Sequence, residues 1–160
     1  MLDAGSPLPE VRLPDQTGAT VDLADFRGQW VVVYFYPRDE TPGCTAQACD
    51  IRDRWGEFEQ AGATVVGISA DEVDSHARFA DRYGLPFPLL ADPGRSVIDP
   101  FGAWGWRTRR DGSRVEGVLR TTVLVDPSGT VAGVWPTVDP HTHADEVLSA
   151  IAGEDGPSSA

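Results

Sequence analysis

The chain has 160 residues, 41% of them hydrophobic, and a formal net charge of −12. This length and composition predict one globular domain with a sizeable core, and they exclude a disordered chain. The excess of negative charge argues against nucleic acid or an anionic membrane as a partner.

The N-terminal sequence favours a cytoplasmic protein. It has an acidic residue at position 3 and lacks the basic stretch and the apolar core of a signal peptide. No segment has the roughly 18 apolar residues that a membrane span needs. The chain has two cysteines, and in a reducing compartment we expect these to be catalytic or redox-active rather than a permanent crosslink.

The first predicted elements are a hairpin and a buried strand. Residues 11–13 and 20–23 flank a turn-forming stretch and predict an N-terminal β-hairpin, and residues 23–27 predict one helical turn. The unbroken apolar run at 30–36 is typical of a central strand that is covered on both faces. Pro37 ends this run.

Helices and strands then alternate. We expect a helix from about residue 42 to 60, a second buried strand at 64–68, and a helix at 74–83 that ends at Gly84. This order predicts an α/β fold with a mixed central sheet flanked by helices, in a single domain that spans residues 1–152. The remaining predicted elements are a short strand at 88–91, a short helix at 94–101, a loop at 103–116, hairpin strands at 118–125 and 130–135, a helix at 143–151 and a flexible tail at 153–160.

Cys44 is predicted to lie in the first turn of the helix that follows the central strand. Thr41 is a favourable N-cap and Pro42 a favourable first helical residue, which places Cys44 at the third helical position. The backbone N–H groups there have no partner within the helix, and the helix dipole favours negative charge. Because thiols at helix N-termini have pKa values of about 3.5–7.5 instead of about 8.5, this position suits a reactive thiolate.

Cys49 is predicted to point away from Cys44. Ala48, Ile51 and Phe58 lie on one apolar stripe of the helix, with Cys44 near its centre and Cys49 about 140° away. Two residues five apart in a helix have Cα atoms about 8–9 Å apart, whereas a disulfide needs roughly 4.4–6.8 Å. A bond between them would require the first turns of the helix to unwind. Two interpretations of the cysteines remain open at this point, a redox pair and two buried thiols.

A metal site is not predicted. Zinc needs about four ligands, usually with Cys or His pairs at close spacing, whereas the chain offers two cysteines and the histidines at 76, 141 and 143. His141 and His143 would lie on a turn before the last helix, where we expect capping or exposure to solvent instead.

The run from residue 34 to 53 resembles the active-site segment of the peroxiredoxin Q subfamily of peroxiredoxins, also called bacterioferritin comigratory proteins. It contains the family's pattern P-x-x-x-T-x-x-C as Pro37, Thr41 and Cys44. Cys49 follows at the spacing of the subfamily's resolving cysteine.

A second segment supports the same resemblance. The run from 117 to 126 resembles the strand that carries the family's active-site arginine, here Arg120, and the likeness covers about residues 5–152. It implies a thioredoxin-like fold with an extra N-terminal β-hairpin. It also implies reduction of hydrogen peroxide and alkyl hydroperoxides, with thioredoxin or a similar dithiol protein as the reductant, by a monomer that needs no metal, haem or flavin cofactor.

The resemblance also implies a role for each site residue. Cys44 would attack the peroxide as a thiolate and become a sulfenic acid, which Cys49 would resolve as an intramolecular disulfide. Arg120 would stabilise the thiolate and the charge that moves across the O–O bond, and its alternative is an exposed strand arginine in a surface ion pair. Thr41 would orient the peroxide while it caps the helix, and Pro37 would shape the loop and shield the sulfenic acid.

A thiol–disulfide exchange protein or a peroxide sensor on the same fold is the alternative function. Gln47 stands where a C-x-x-C motif would have its second cysteine, which disfavours a disulfide reductase. The P-x-x-x-T-x-x-C pattern favours peroxide chemistry. A binding module without catalytic activity would leave the helix-terminal thiol unexplained.

Overall fold

The computed structural model describes residues 3–109 and 111–155. The helices are α1 (Pro42–Asp53), α2 (Trp55–Gln60), α3 (Val73–Tyr83) and α4 (His143–Asp155), and a 3₁₀ helix covers Leu23–Phe26. Within the residues described, no helix is long and apolar enough to cross a bilayer. The strands are β1 (Arg12–Pro14), β2 (Thr20–Asp22), β3 (Trp30–Phe35), β4 (Ala63–Ser69), β5 (Leu89–Ala91), β6 (Trp104–Thr108), β7 (Arg114–Val118), β8 (Thr122–Val125) and β9 (Val131–Trp135).

Five strands form the central sheet, in the order β5–β4–β3–β8–β9. β4 is parallel to both β3 and β5, whereas β8 is antiparallel to both β3 and β9. The sheet is therefore mixed, and the predicted α/β fold is confirmed. β1 and β2 pair antiparallel, which confirms the predicted N-terminal hairpin.

β3 is the central strand, and both of its faces are buried. Val32 and Tyr34 belong to one hydrophobic cluster, which they share with residues of all four helices. Val31, Val33 and Phe35 belong to a second cluster on the opposite face, which the N-terminal hairpin helps to cover. Burial on both faces explains why an unbroken apolar run encodes this strand. The carboxyl end of β3 is thus a rigid base for the loop that leads to α1.

The predicted helices are present, with differences at their ends. The helix expected over 42–60 is interrupted at Arg54, whose φ of −108° separates α1 from α2. α3 ends at Gly84 as expected, because its φ of +61° is left-handed and suits glycine. α4 continues to Asp155, past the domain boundary expected after residue 152. Residues 156–160 lie outside the described part of the chain, and the flexibility of the tail stays a prediction.

The prediction of a loop at residues 103–116 is wrong, because β6 and β7 in this region form an antiparallel hairpin. Trp104 pairs with Val118, and Trp106 pairs with Glu116. Most residues of the two strands are at least partly exposed. Since neither face of this hairpin is fully buried, its sequence lacks the apolar alternation that predicts a strand.

The strand predicted for residues 118–125 consists of two separate segments. Val118 ends β7, and the next residue, Leu119, donates its amide to the Ala103 carbonyl at 2.7 Å. The strand resumes at Thr122, the first residue of β8. Arg120 therefore lies in the connection where the chain passes from the small hairpin to the central sheet, and not on a strand.

The segment 94–101 forms turns instead of the predicted short helix. The side chain of Asp92 accepts the three consecutive amides of residues 96–98, at distances of 2.8–2.9 Å. Pro100 has no amide N–H and cannot make the next helical hydrogen bond. Two backbone bonds of helical type remain, from the Asp99 amide to the Arg95 carbonyl and from the Phe101 amide to the Val97 carbonyl, but they do not join into a continuous helix.

Candidate active site

Cys44 lies in the first turn of α1, after the loop that leaves the carboxyl end of β3. Thr41 has the extended backbone of an N-cap, and its carbonyl accepts the Thr45 amide at 2.8 Å. Pro42 is the first helical residue, as the sequence predicts. The Thr41 hydroxyl, however, donates to the Arg38 carbonyl at 3.0 Å. The predicted side-chain cap is therefore wrong, because this hydroxyl closes the preceding loop instead.

The loop between β3 and α1 is held in a strained shape by contacts from other elements. Glu40 has a φ of +62°, a conformation that costs a non-glycine residue on the order of 1–3 kcal/mol. Its carboxylate pairs with Arg82 of α3 at 2.9 Å. The Asp39 amide donates to the Asp71 carboxylate at 2.9 Å. The direction in which α1 presents Cys44 is thus fixed from α3 and from the end of β4.

Asp39 is the centre of a buried polar cluster beneath this loop. Its carboxylate accepts the Tyr36 hydroxyl at 2.6 Å and the Ser75 hydroxyl at 2.8 Å, and it lies 2.7 Å from His76 Nδ1. His76 Nε2 lies 3.0 Å from the Leu90 carbonyl, which can only accept. The ring therefore carries a proton on Nε2, which it donates to the Leu90 carbonyl, and its Nδ1 shares a hydrogen bond with the Asp39 carboxyl group.

The same cluster brings together side chains of metal-binding type that the sequence does not place side by side. Ligand atoms of Asp39, Asp71 and His76 lie within 4.8 Å of one another. All three side chains are already hydrogen-bonded to protein groups, including the Ser69 hydroxyl on Asp71 at 2.7 Å. These hydrogen bonds join the loop before α1 to α3 and to the ends of β4 and β5.

Arg120 reaches the sulfur of Cys44. Its Nη2 donates to Cys44 Sγ at 3.3 Å, across a sequence separation of 76 residues. Cys44 is 1% exposed and packs in the same cluster as Ala48 and Ile51, so the predicted apolar side of the helix is confirmed. The other guanidinium branch, Nη1, donates to Gln47 Oε1 at 3.1 Å. Arg120 is thus directed at a thiol and an amide, which is not the arrangement of a surface ion pair.

Gly43 makes room for this contact. A Cβ at position 43 would lie 2.6 Å from Arg120 Nη2 and 3.7 Å from the Pro140 side chain, and contacts below 3.0 Å essentially never occur for real Cβ atoms. Only glycine lets the guanidinium lie against the first turn of α1. The sequence analysis missed this requirement because the obstructing atom belongs to a distant part of the chain.

Gln47 and His143 extend the Arg120 contact into the core. Gln47 Nε2 is 3.1 Å from His143 Nδ1, and His143 Nε2 is 2.7 Å from the Thr122 hydroxyl. These three side chains are at most 1% exposed. Burial, together with the positive charge of Arg120, lowers the pKa of His143 to about 4. The capping or exposed position expected for His143 is therefore wrong, whereas His141 is exposed as expected.

Cys49 is partly exposed, unlike the buried Cys44, and both thiols are free. α1 runs without interruption from Pro42 to Asp53 and contains both cysteines. A continuous helix keeps the two Cα atoms about 8–9 Å apart. A disulfide between them therefore requires the helix to unwind locally, as the sequence predicts.

A cleft of about 370 Å³ opens beside Arg120. Trp106 of β6, which lines it, is 60% exposed. Arg107 Nε is buried and has no hydrogen-bond partner among the described residues, and burial together with the charge of Arg120 lowers the pKa of Arg107. The cleft therefore combines apolar surface with two guanidinium groups. Its lining residues are Pro37, Trp106, Arg107, Thr108, Leu119, Arg120, Thr137 and Val138.

Comparison with known proteins gives one consistent result. A model of the AhpC/TSA family matches residues 4–134. Peroxiredoxin Bcp of Escherichia coli K12 is 43% identical over 148 residues, which cover 92% of this chain and 94% of that protein. A structure concerned with the alkyl peroxide reduction activity of Xanthomonas campestris bacterioferritin comigratory protein superposes with a TM-score of 0.85 at 35% identity, covering 95% of this chain and 99% of the other. A structure of Xylella fastidiosa PrxQ gives a TM-score of 0.90 at 31% identity, covering 98% and 99%.

Proposed function

The chain belongs to the AhpC/TSA family and is a thiol-dependent peroxidase with a thioredoxin-like fold, and from that premise we propose that Cys44 is its peroxide-reducing cysteine. The observation that carries this proposal is the 3.3 Å contact between Arg120 Nη2 and Cys44 Sγ in the first turn of a helix. A helix N-terminus and a guanidinium both favour negative charge on sulfur. Only a thiolate is nucleophilic enough to attack a peroxide.

The first chemical step oxidises Cys44. The thiolate sulfur attacks one peroxide oxygen, so that an S–O bond forms and the O–O bond breaks. The sulfur loses two electrons and becomes a sulfenic acid. The other oxygen leaves with the bonding pair and takes a proton, as water from hydrogen peroxide or as an alcohol from an alkyl hydroperoxide.

Arg120, Thr41 and Pro37 assist this step in the proposed mechanism. The Arg120 guanidinium is already in place for the negative charge that moves from sulfur to the leaving oxygen, which is electrostatic preorganisation. The Thr41 hydroxyl, which does not cap the helix, is free to accept a hydrogen bond from the peroxide while it donates to the loop. Pro37 lines the cleft beside Arg120 and limits the access of water to the sulfenic acid.

Cys49 resolves the sulfenic acid in the second step. After the first turns of α1 unwind, the Cys49 thiolate attacks Cys44 Sγ, an S–S bond forms, and hydroxide leaves and is protonated to water. A thiol reductant restores both cysteines by thiol–disulfide exchange. We propose that this reductant is thioredoxin or a similar dithiol protein, and the partial exposure of Cys49 supports access to it.

The proposed substrates are hydrogen peroxide and alkyl hydroperoxides. Hydrogen peroxide needs only the polar groups around Cys44, whereas an alkyl group needs apolar surface nearby. The cleft beside Arg120 offers such surface on Trp106, Leu119 and Val138. The Xanthomonas campestris relative, which was studied for alkyl peroxide reduction, supports the same substrate class. The second-order rate constants for hydrogen peroxide and for alkyl hydroperoxides of increasing size test this proposal.

We further propose that the protein acts as a monomer in the cytoplasm and that residues 1–152 form the functional domain. These three statements rest on the resemblance to the peroxiredoxin Q subfamily and on the composition of the chain. Sedimentation at micromolar concentration tests the first statement, cell fractionation the second, and the activity of a chain truncated after residue 152 the third. A dimer that persists on dilution would contradict the first.

Two cysteine variants test the assignment of the chemistry. Cys44→Ser is expected to abolish peroxide reduction, and full activity in this variant would contradict the proposal. Cys49→Ser is expected to consume one equivalent of peroxide and then stop in the thioredoxin-coupled assay. Thiol titration after one equivalent of peroxide separates this function from a slowly reacting exchange protein or sensor, because a peroxidase loses two thiols rapidly. Sustained turnover by Cys49→Ser would show that another thiol resolves the sulfenic acid.

A further inference from the structure

A chain of hydrogen bonds leads from the sulfur of Cys44 through partly and fully buried side chains to the start of β8. It runs from Cys44 through Arg120 and Gln47 to His143, and ends at Thr122. We propose that His143 is a positioning residue for peroxide reduction, which acts by fixing the amide of Gln47 and, through it, the guanidinium of Arg120. The proposal rests on the proposed role of Cys44 and adds a residue that never touches the peroxide.

The donors and acceptors along this chain allow only one arrangement. The Arg120 guanidinium can only donate, so the Gln47 atom that faces it must be the carbonyl oxygen Oε1. The amide nitrogen of Gln47 then faces His143 and donates, so His143 Nδ1 must be unprotonated and accept. The ring proton is consequently on Nε2, where it is donated to the Thr122 hydroxyl oxygen at 2.7 Å. His143 is therefore a neutral imidazole in one defined tautomer.

Burial makes this arrangement rigid. Gln47 and His143 are each 1% exposed and Thr122 is fully buried. Solvent water therefore does not reach these side chains to replace a broken hydrogen bond. An unpaired polar group at such a site costs on the order of 1–3 kcal/mol. If the Gln47 amide turned over, its N–H₂ group would face the guanidinium, donor against donor. The amide thus has one favourable orientation relative to the guanidinium, and His143 Nδ1 holds the amide nitrogen in place.

The surroundings of His143 keep it neutral. Burial and the positive charge of the Arg120 guanidinium both disfavour the imidazolium. The Tyr34 ring lies beside the His143 imidazole, and the centroids of the two rings are 6.1 Å apart. Burial raises the pKa of Tyr34 well above its ordinary value, so this phenol stays uncharged. At neutral pH, His143 therefore presents a constant acceptor to Gln47.

The position of the guanidinium matters because Arg120 is proposed to stabilise the negative charge that moves from sulfur to the leaving oxygen. The arginine side chain is long and flexible, and Arg120 lies in an irregular connection rather than on a strand. Fixing its position before the reaction avoids a loss of entropy during the reaction. The bond from Nη1 to Gln47 holds one branch of the guanidinium, and the other branch, Nη2, then points at Cys44 Sγ.

Two substitutions at position 143 separate this role from a merely structural one. In His143→Asn, Oδ1 is attached at the same place along the side chain as Nδ1 and can accept from Gln47. In His143→Gln, Nε2 instead occupies the position of the histidine Nε2 and can donate to Thr122, but the side chain has no acceptor at the position of Nδ1, where Gln47 donates. Both variants are neutral and lose ring packing, so each serves as the matched control for the other.

The measurement is the rate constant for oxidation of the pre-reduced full-length protein by hydrogen peroxide, followed by stopped-flow fluorescence. We expect His143→Asn to stay within about threefold of the unmodified protein and His143→Gln to lose about tenfold or more, since a misplacement of 1 Å costs on the order of 100-fold. Equal rates in the two variants would overturn the proposal. The melting temperature of each variant shows whether the fold is intact.

The Arg120→Met background provides the second readout. If His143 acts only through Arg120, His143→Gln has no further effect on the rate once the guanidinium is gone. A further tenfold loss in that background would refute the proposed path. Retention of activity in Cys44→Ser would instead refute the role of Cys44, so the two failures are distinguishable.

Discussion

Replacement of Gly43 by alanine is expected to separate catalysis from stability. A Cβ at this position would lie 2.6 Å from Arg120 Nη2, so the guanidinium must retreat by about 0.8 Å to reach the 3.4 Å of an ordinary contact. Because the obstructing atom is the end of a flexible side chain, the backbone stays in place, and the retreat weakens only the hydrogen bond from Nη1 to Gln47. Alanine is also the better helix former, by about 1 kcal/mol.

The same retreat takes the guanidinium away from Cys44 Sγ, which it contacts at 3.3 Å. A misplacement of about 1 Å costs on the order of 100-fold in rate. We therefore expect Gly43→Ala to lower the rate constant for hydrogen peroxide by roughly tenfold to 100-fold. The melting temperature should stay unchanged or rise slightly.

The assay is stopped-flow fluorescence of the pre-reduced protein with excess hydrogen peroxide, accompanied by thermal unfolding. Gly56→Ala in α2 is the matched control, because a Cβ there meets nothing within 4 Å. The control gains the same helix propensity and is expected to react at the rate of the unmodified protein. If Gly43→Ala reacts as fast as this control, the geometric argument for Arg120 is wrong.

Three further predictions concern the helix, the pH dependence and the loop. On oxidation, hydrogen exchange is expected to lose protection over residues 44–52, and unchanged protection there would contradict coupling between the disulfide and unwinding. Burial lowers the pKa of His143 from 6.5 to about 4, so the unfolded chain binds more protons between these pH values and stability rises with pH across that window, by roughly 3 kcal/mol. Urea unfolding from pH 4 to 7 should show this rise to be smaller in His143→Asn, and equal slopes would contradict the assignment. Asp39→Ala is expected to lower the free energy of unfolding by about 3–5 kcal/mol, because it leaves the buried His76 without its partner. A loss below about 1 kcal/mol in the same urea assay would show that this pair is not a buried ion pair.

The position of Cys44 could be predicted from the sequence because local rules govern it. An apolar run encodes a strand buried on both faces, and Thr41 and Pro42 start the helix within a few residues of it. The phase of an α-helix then decides which cysteine is buried and which is partly exposed. Each of these effects acts over one or two turns of chain, where spacing in sequence is equivalent to distance in space.

The partners of Cys44 could be identified only in the tertiary structure. Arg120 was found through the resemblance, but its placement on a strand was wrong, because the chain crosses between two sheets at that point. Gln47 lies three residues after Cys44, a helical spacing that could have suggested contact. Nothing local indicates that His143, 96 residues further on, would accept its hydrogen bond.

The stretch from Thr41 to Cys49 thus encodes the proposed nucleophile, the helix turn that holds it and a cysteine spacing that an intact helix cannot bridge. The packing of the central sheet decides what Cys44 faces. β8, paired with β3, places Thr122 close to α4, and the connection before β8 brings Arg120 to the first turn of α1. These contacts depend on which strands become neighbours, and strand order is a property of the whole fold that no short segment specifies.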